Sequence, residues 1–175
     1  MQLAFADLRN VWRQEEYKIV RKNNIVIVLD NIRSAMNVGS IFRTADAFLI
    51  EKIYLCGFSA CPPHKDIHKT ALGAEETVDY KIFNSTIDAI NNLIENGYEC
   101  LAVEQTDHSI MLQNYSFDKT KKYAFVLGNE VSGVDLEVIK QCNACIEIPQ
   151  WGHKHSLNVT IAGGIVLWEM MRTLI

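Results

Sequence analysis

The sequence lacks the marks of several protein classes. It has no run of about eighteen apolar residues, so no transmembrane helix is expected. Met1 to Asn24 is polar and charged, without the apolar core of a signal peptide. The five cysteines (Cys56, Cys61, Cys100, Cys142, Cys145) are odd in number and have no framework spacing. That argues against a disulfide scaffold and for reduced thiols in the cytoplasm. No Gly-x-Gly-x-x-Gly follows the first predicted strand, and no Walker A sequence occurs, which argues against a standard dinucleotide or NTP site. Internal repeats, low-complexity tracts and linkers are also missing.

What is present fits one ordinary globular domain. The chain has 175 residues, 49% hydrophobic and 22% charged, enough to bury a sizeable core. A net charge of -4 argues mildly against a nucleic-acid partner, but the distribution argues the other way. Arg9, Arg13, Lys18, Arg21 and Lys22 crowd the N-terminal segment. His64, Lys65, His68 and Lys69 form a second cluster, and His153, Lys154 and His155 a third. A local basic surface binds phosphates whatever the total charge. The alternative is scattered solvated charge.

Strands and helices alternate. Leu8, Val11, Trp12, Ile19 and Val20 predict a helix over 3–22, an appendage to the main pattern. Continuous apolar runs predict buried strands at 25–29 and 123–127, and further strands are expected at 52–56, 77–83, 99–104 and 144–148. Helices are expected at 38–49 with Asn37 as cap, near 64–71, from Ser85 to about Glu95, at 135–141, and over 156–174 with Ser156 as cap. Residues 106–115 read as a loop with at most one helical turn. The pattern predicts an α/β fold: a largely parallel sheet with helices on both faces. The last helix is apolar almost all round, which a surface helix is not. A dimer interface would cover it. Gly163 and Gly164 within it suggest close backbone packing.

Three stretches share a strand–loop–helix grammar that makes ligand sites in α/β sheets. They are Asn31 to Phe48, Leu127 to Val134, and Ile148 to Thr160. In the second, Gly128 and Gly133 let a ligand approach the backbone closely. In the third, Pro149 ends a strand because it cannot donate to the sheet ladder.

Together these stretches resemble the three signatures of the SpoU (TrmH-like) RNA ribose methyltransferases of the SPOUT superfamily. Asn37-Val38-Gly39-Ser40-Ile41-Phe42-Arg43-Thr44-Ala45-Asp46-Ala47-Phe48 looks like the first, Leu127-Gly128-Asn129-Glu130 through Gly133 like the second, and Ile148-Pro149, Gly152 and Ser156-Leu157-Asn158-Val159 like the third. The resemblance covers about residues 25 to 173. It implies a methyltransferase domain over 25–175 after an N-terminal helical extension, 1–24, with a deep trefoil knot at the C-terminus. It further implies S-adenosylmethionine as cofactor, a homodimer, and structured RNA (tRNA or rRNA) as partner. By position, Gly128, Ile148 and Leu157 would contact the donor, with Val103 and Glu104 near its ends. Arg43 would be catalytic, Asn37 and Glu130 would hold the arginine or its loop, and Ser156 and Asn158 would position the ribose. The sequence departs from the family pattern at Ile32 and Arg33, at Val131 and Ser132, and at Gln150 and Trp151 after Ile-Pro.

Other readings stay open at this level. A related enzyme could methylate a base nitrogen, or the chain could be a catalytically silent RNA-binding factor. Arg43 could instead be an exposed helix arginine or pair with Asp46 or Glu130. Cys142-x-x-Cys145 has no second pair and reads as core thiols rather than zinc ligands. His64 and His68 lack a third ligand, so a phosphate-facing or solvated pair is expected and no metal site. Trp151 could stack on a base or on the donor's adenine, close the loop as a lid, or contact a dimer partner.

Overall fold

The computed structural model describes residues 14–154 and 156–174. In chain order its elements are α1 (Gln14–Ile19), β1 (Asn23–Asp30), α2 (Ala35–Ala47), β2 (Ile50–Cys56), α3 (Lys65–Ala71), β3 (Asp79–Phe83), α4 (Thr86–Glu95), β4 (Tyr98–Val103), β5 (Ile110–Met111), β6 (Lys122–Leu127), α5 (Leu136–Gln141), β7 (Ala144–Glu147) and α6 (Val159–Leu174). Single 3-10 turns lie at Ala74–Glu76 and Leu112–Asn114. Of the expected helix over 3–22, α1 is the described helical part and it ends at Ile19, three residues early; the stretch before it, with Arg9 and Arg13, lies outside the described residues.

The seven strands form one sheet in the order β3-β2-β1-β6-β4-β7-β5, every neighbouring pair parallel. Side chains alternate between its faces. In β1, Ile25, Ile27 and Leu29 enter one core, and Val26 and Val28 the other. In β6, Tyr123, Phe125 and Leu127 share the first core, and Ala124 and Val126 the second. Both faces are covered, which is why these strands read as continuous apolar runs. The first core is closed by α2, α3 and α6 through Phe42, Ile67 and Val166, and the second by α4 and α5 through Ile90 and Val138.

Four expectations need correction. The cap of α2 is Ser34, whose side chain accepts from the Asn37 N–H at 3.3 Å. α6 starts at Val159, and Asn158, not Ser156, holds its first turn: Oδ1 accepts from the Thr160 N–H at 2.9 Å and from its hydroxyl at 2.6 Å. β3 begins two residues late, because Thr77 bonds to the Asp46 carboxylate at 3.1 Å and to the Ala74 carbonyl. Within the expected loop, Ile110 and Met111 form a strand that exists only through pairing with β7. Ser85 does cap α4, and Gly97 takes a positive φ of 79° just after it.

The last helix buries Val159, Val166, Leu167 and Met170 and leaves Ile161, Ile165 and Trp168 outside, at 54%, 37% and 57% exposure. Those three stand four and three residues apart, one stripe of the helix. A Cβ on Gly163 would lie 2.9 Å from Leu127 Cδ1, so this glycine lets α6 approach β6; one on Gly164 would meet nothing. No helix among the described residues is long and apolar enough to cross a membrane.

Candidate functional site

Parallel strands put the loops that follow them on one edge of the sheet. The register lines up the ends of four adjacent strands: Leu29 pairs with Leu127, Leu127 with Val103, and Val103 with Ile146. The loops after β1, β6, β4 and β7 therefore meet, where open α/β sheets place their ligands.

The loop after β6 is built first by its own backbone. The Asn129 N–H donates to the Gly133 carbonyl at 3.0 Å, and the Gly133 N–H to the Asn129 carbonyl at 2.9 Å. The Asn129 side chain accepts from the N–H of Val131 and Ser132. Gly128 is required by this crossing: a Cβ there would lie 2.2 Å from the carbonyl carbon of Gly133 and from the nitrogen of Val134.

This loop then holds the one after β1. The Asn129 amide donates to the Asn31 carbonyl at 2.6 Å. Glu130 Oε2 accepts from the Arg33 N–H at 2.9 Å, and Oε1 from the Ser34 N–H at 3.0 Å and Asn37 Nδ2 at 2.8 Å. Burial pushes the Glu130 carboxyl pKa up, but the donors at Arg33, Asn37 and Ser34 and its own N–H outweigh that, and the net shift is downward. Asn37 Oδ1 in turn accepts from Asn158 Nδ2 at 3.4 Å. Glu130, Asn37 and Asn158 thus join the three loops in a line.

Glu130 and Asn158 also border a cavity of about 700 Å³. Eight of the ten expected site residues line it: Val103, Glu104, Gly128, Glu130, Ile148, Ser156, Leu157 and Asn158. Glu104 bridges two segments, Oε1 accepting from the Gln105 N–H at 2.9 Å and Oε2 from the Val134 N–H at 3.0 Å. Asn37 joins the site through Glu130 and Asn158. Arg43 stands apart, about 9 Å along α2 from Asn37 and about a third of a turn round. It is exposed, with no hydrogen bond or ion pair among the described residues. Neither structural pair suggested for it forms: Asp46 accepts from Thr77, and Glu130 is taken by the loop.

Sequence reasoning gave Asn129, within the second signature, no role of its own, and did not single out Asp30. Asp30 is buried; Oδ1 accepts from the Thr86 hydroxyl at 2.5 Å and from the Asn31 amide at 2.9 Å, and Oδ2 from the Asp135 N–H at 3.1 Å. It fixes the starts of α4 and α5 against β1. The other constellations resolve into structural roles. Burial pushes the Cys142 thiol up to about 12 and the Cys145 thiol upward, and the Cys145 thiol donates to the Glu104 carbonyl at 3.3 Å. His64 caps α3, its Nδ1 accepting from the Asp66 N–H at 3.1 Å, while His68 Nδ1 lies 2.6 Å from Glu75 Oε1.

A cavity lined by both apolar and polar residues, with backbone in place of a side chain at Gly128, suits a small amphipathic ligand. Residues 24–168 match the SpoU rRNA Methylase family. The chain is 28% identical over 153 residues to the tRNA (guanosine(18)-2'-O)-methyltransferase of Aquifex aeolicus, covering 87% of this chain and 71% of that protein. It is 28% identical over 148 residues to the 23S rRNA (guanosine-2'-O-)-methyltransferase RlmB of Neisseria meningitidis, covering 85% of this chain and 58% of the other. Its structure is similar to that of an AdoMet-bound rRNA methyltransferase from Sinorhizobium meliloti, with TM-score 0.81, 29% identity, and 89% of this chain and 58% of that one covered. The chain spans less than two thirds of the length of the first curated relatives it matches. With matched residues running through nearly the whole sheet and all three site loops, the chain belongs to the SpoU rRNA methylase family.

Proposed function

We propose that this protein transfers a methyl group from S-adenosylmethionine to a ribose 2'-hydroxyl in tRNA or rRNA. The observation that carries the reading is the line Glu130–Asn37–Asn158, which ties three signature loops around one cavity. The relatives named as 2'-O-methyltransferases of tRNA and rRNA support the reaction. The AdoMet-bound Sinorhizobium structure supports the donor.

The cavity fits such a donor. Its volume lies in the range of small-ligand sites, about 300–1,000 Å³. Leu127, Ile148 and Leu157 offer apolar wall, and Gly128 offers backbone where a side chain has no room. Val103, Glu104, Gly128, Ile148 and Leu157 would hold the donor. When bound, it supplies a methyl group already made electrophilic by its sulfonium.

The protein's part is alignment and charge. Ser156 and Asn158, exposed residues of the cavity lining, orient the ribose so that its 2'-oxygen faces the methyl group. Asn37 and Glu130 keep Asn158 and the start of α2 in place. Arg43 stabilises the negative charge that develops on the 2'-oxygen. A guanidinium with a pKa above about 12 does not serve as the base. The position of Arg43 outside the cavity wall suits a group that meets RNA rather than donor. Methylation of a base nitrogen would ask for a free carboxylate base; Glu104 and Glu130 are both engaged by backbone N–H groups, which favours ribose.

The finer features follow the same reading. The exposed stripe Ile161–Ile165–Trp168 forms the interface of a homodimer. The C-terminal segment forms a trefoil knot, supported by the position of β7 inside the sheet, between β4 and β5. The extension expected over 1–24 gives way to the domain at Asn23, where β1 begins, and the protein works in the cytoplasm, where its five thiols stay reduced. The test is an uncoupling. Arg43→Ala binds S-adenosylmethionine with wild-type affinity in calorimetry and transfers methyl to RNA at least about a hundredfold more slowly. Equal losses of affinity and turnover would move Arg43 into donor binding and overturn its role.

A further inference from the structure

Trp151 is 90% exposed, and it makes no ring contact or hydrogen bond among the described residues. Tryptophan is highly buried on average and carries a large flat apolar face, so a ring presented in this way on a surface loop has that face free for a ligand. The place of this ring is specific. Gln150 lines the cavity just before it, and the chain returns to the cavity wall at Ser156, Leu157 and Asn158. Residues 151–154 therefore form a flap between two stretches of the cavity lining, and the Cα of Trp151 is one chain step, about 3.8 Å, from that of Gln150. The flap is also cationic. His153 and Lys154 are exposed, and no acidic residue occurs from Ile148 to Trp168, in a chain whose net charge is -4. The cavity's own acids are occupied: Glu104 and Glu130 as described, and Glu147 by the Ser109 hydroxyl at 2.6 Å.

We propose that Trp151 is a platform on which a nucleobase of the RNA substrate stacks beside the ribose presented to the cavity, with Lys154 taking an adjoining phosphate. This rests on the ribose-methyltransferase reading. A ribose whose 2'-oxygen enters the cavity leaves its base and phosphates at the rim. An aromatic ring accepts any base by its face, and an exposed ammonium meets the backbone there. The flap thereby selects substrates whose target nucleotide, or its neighbour, is unstacked: a loop or bulge rather than a continuous helix. This departure from the family pattern is where the chain's own RNA choice is set.

The test compares wild type, Trp151→Ala, Trp151→Phe and Lys154→Gln, with total RNA from cells lacking the gene as substrate. Donor affinity by calorimetry and molecular mass in solution are measured beside the kinetics. The alanine variant lowers kcat/KM for RNA about tenfold to a hundredfold, through KM, with donor affinity and mass unchanged. Phenylalanine recovers most of that loss. Lys154→Gln raises KM and flattens its dependence on salt. Unchanged kcat/KM in the alanine variant overturns the proposal. So does an equal loss of donor affinity, which would make the ring a lid over adenine, or a fall to monomer mass, which would make it a subunit contact. Wild-type protein that binds donor and RNA but transfers nothing overturns the underlying reading, whatever the variants do.

Discussion

The Glu130 Oε1 atom lies 2.8 Å from Asn37 Nδ2, and that pair fastens the loop after β6 to the helix after β1. The same carboxylate takes the N–H of Arg33 and of Ser34, so one side chain orders the start of α2. Glu130→Ala leaves three donors to solvent. These bonds are exposed, so the loss of stability is modest, about 1 kcal/mol. The loss of turnover is larger, because Asn158 and α2 lose their common anchor. Denaturant unfolding beside single-turnover kinetics checks both; equal turnover in the variant would remove Glu130 from the site.

The Glu130 carboxyl also sets a pH dependence. Its folded pKa lies below the ordinary value, the N–H and amide donors outweighing burial. Its contribution is therefore present above the unfolded pKa and lost as pH falls through the lower folded one. The stability difference between wild type and Glu130→Gln should be full near neutrality and shrink in acid. A difference that grows as pH falls would contradict the assigned bonds.

Gly128→Ala tests the crossing beneath the cavity. The new Cβ would meet backbone atoms of Gly133 and Val134 at 2.2 Å, and backbone cannot swing aside like a side chain. The variant should lose about 1–3 kcal/mol. It should also bind S-adenosylmethionine at least about tenfold more weakly, as read by melting and calorimetry. Wild-type donor affinity would show that the wall at Gly128 does not touch the donor.

The exposed stripe on α6 bears on assembly. On a lone surface, Ile165→Glu changes stability by no more than about 0.5 kcal/mol. At a subunit interface it breaks the dimer. Light scattering on wild type and variant should show a dimer and a monomer; a monomer in both would leave the stripe without this role.

Much of the sheet was legible because strands buried on both faces need continuous apolar, β-branched sequence, as at Ile25–Leu29. β5 was not, since Ile110 and Met111 are exposed and become a strand only by pairing with β7. The caps were misplaced where two suitable polar residues stood close together: Ser34 with Asn37, and Ser156 with Asn158. The structure gave the capping work to the first of one pair and the second of the other, leaving Asn37 free to reach Glu130. Most of the cavity was legible through the three signatures. Asp30 and the reach of Asn129 to Asn31 were not, because the distant partners, Thr86 and Asp135 for the first and Asn31 for the second, are brought there by the sheet's register.

The most direct measurement of the central claim is where a transferred methyl group ends up. RNA from cells lacking the gene is incubated with the protein and labelled S-adenosylmethionine, then hydrolysed in alkali. A 2'-O-methyl group removes the hydroxyl that alkaline cleavage needs, so ribose methylation predicts label in alkali-resistant dinucleotides. Label released in ordinary mononucleotides would place the methyl on a base and contradict the account.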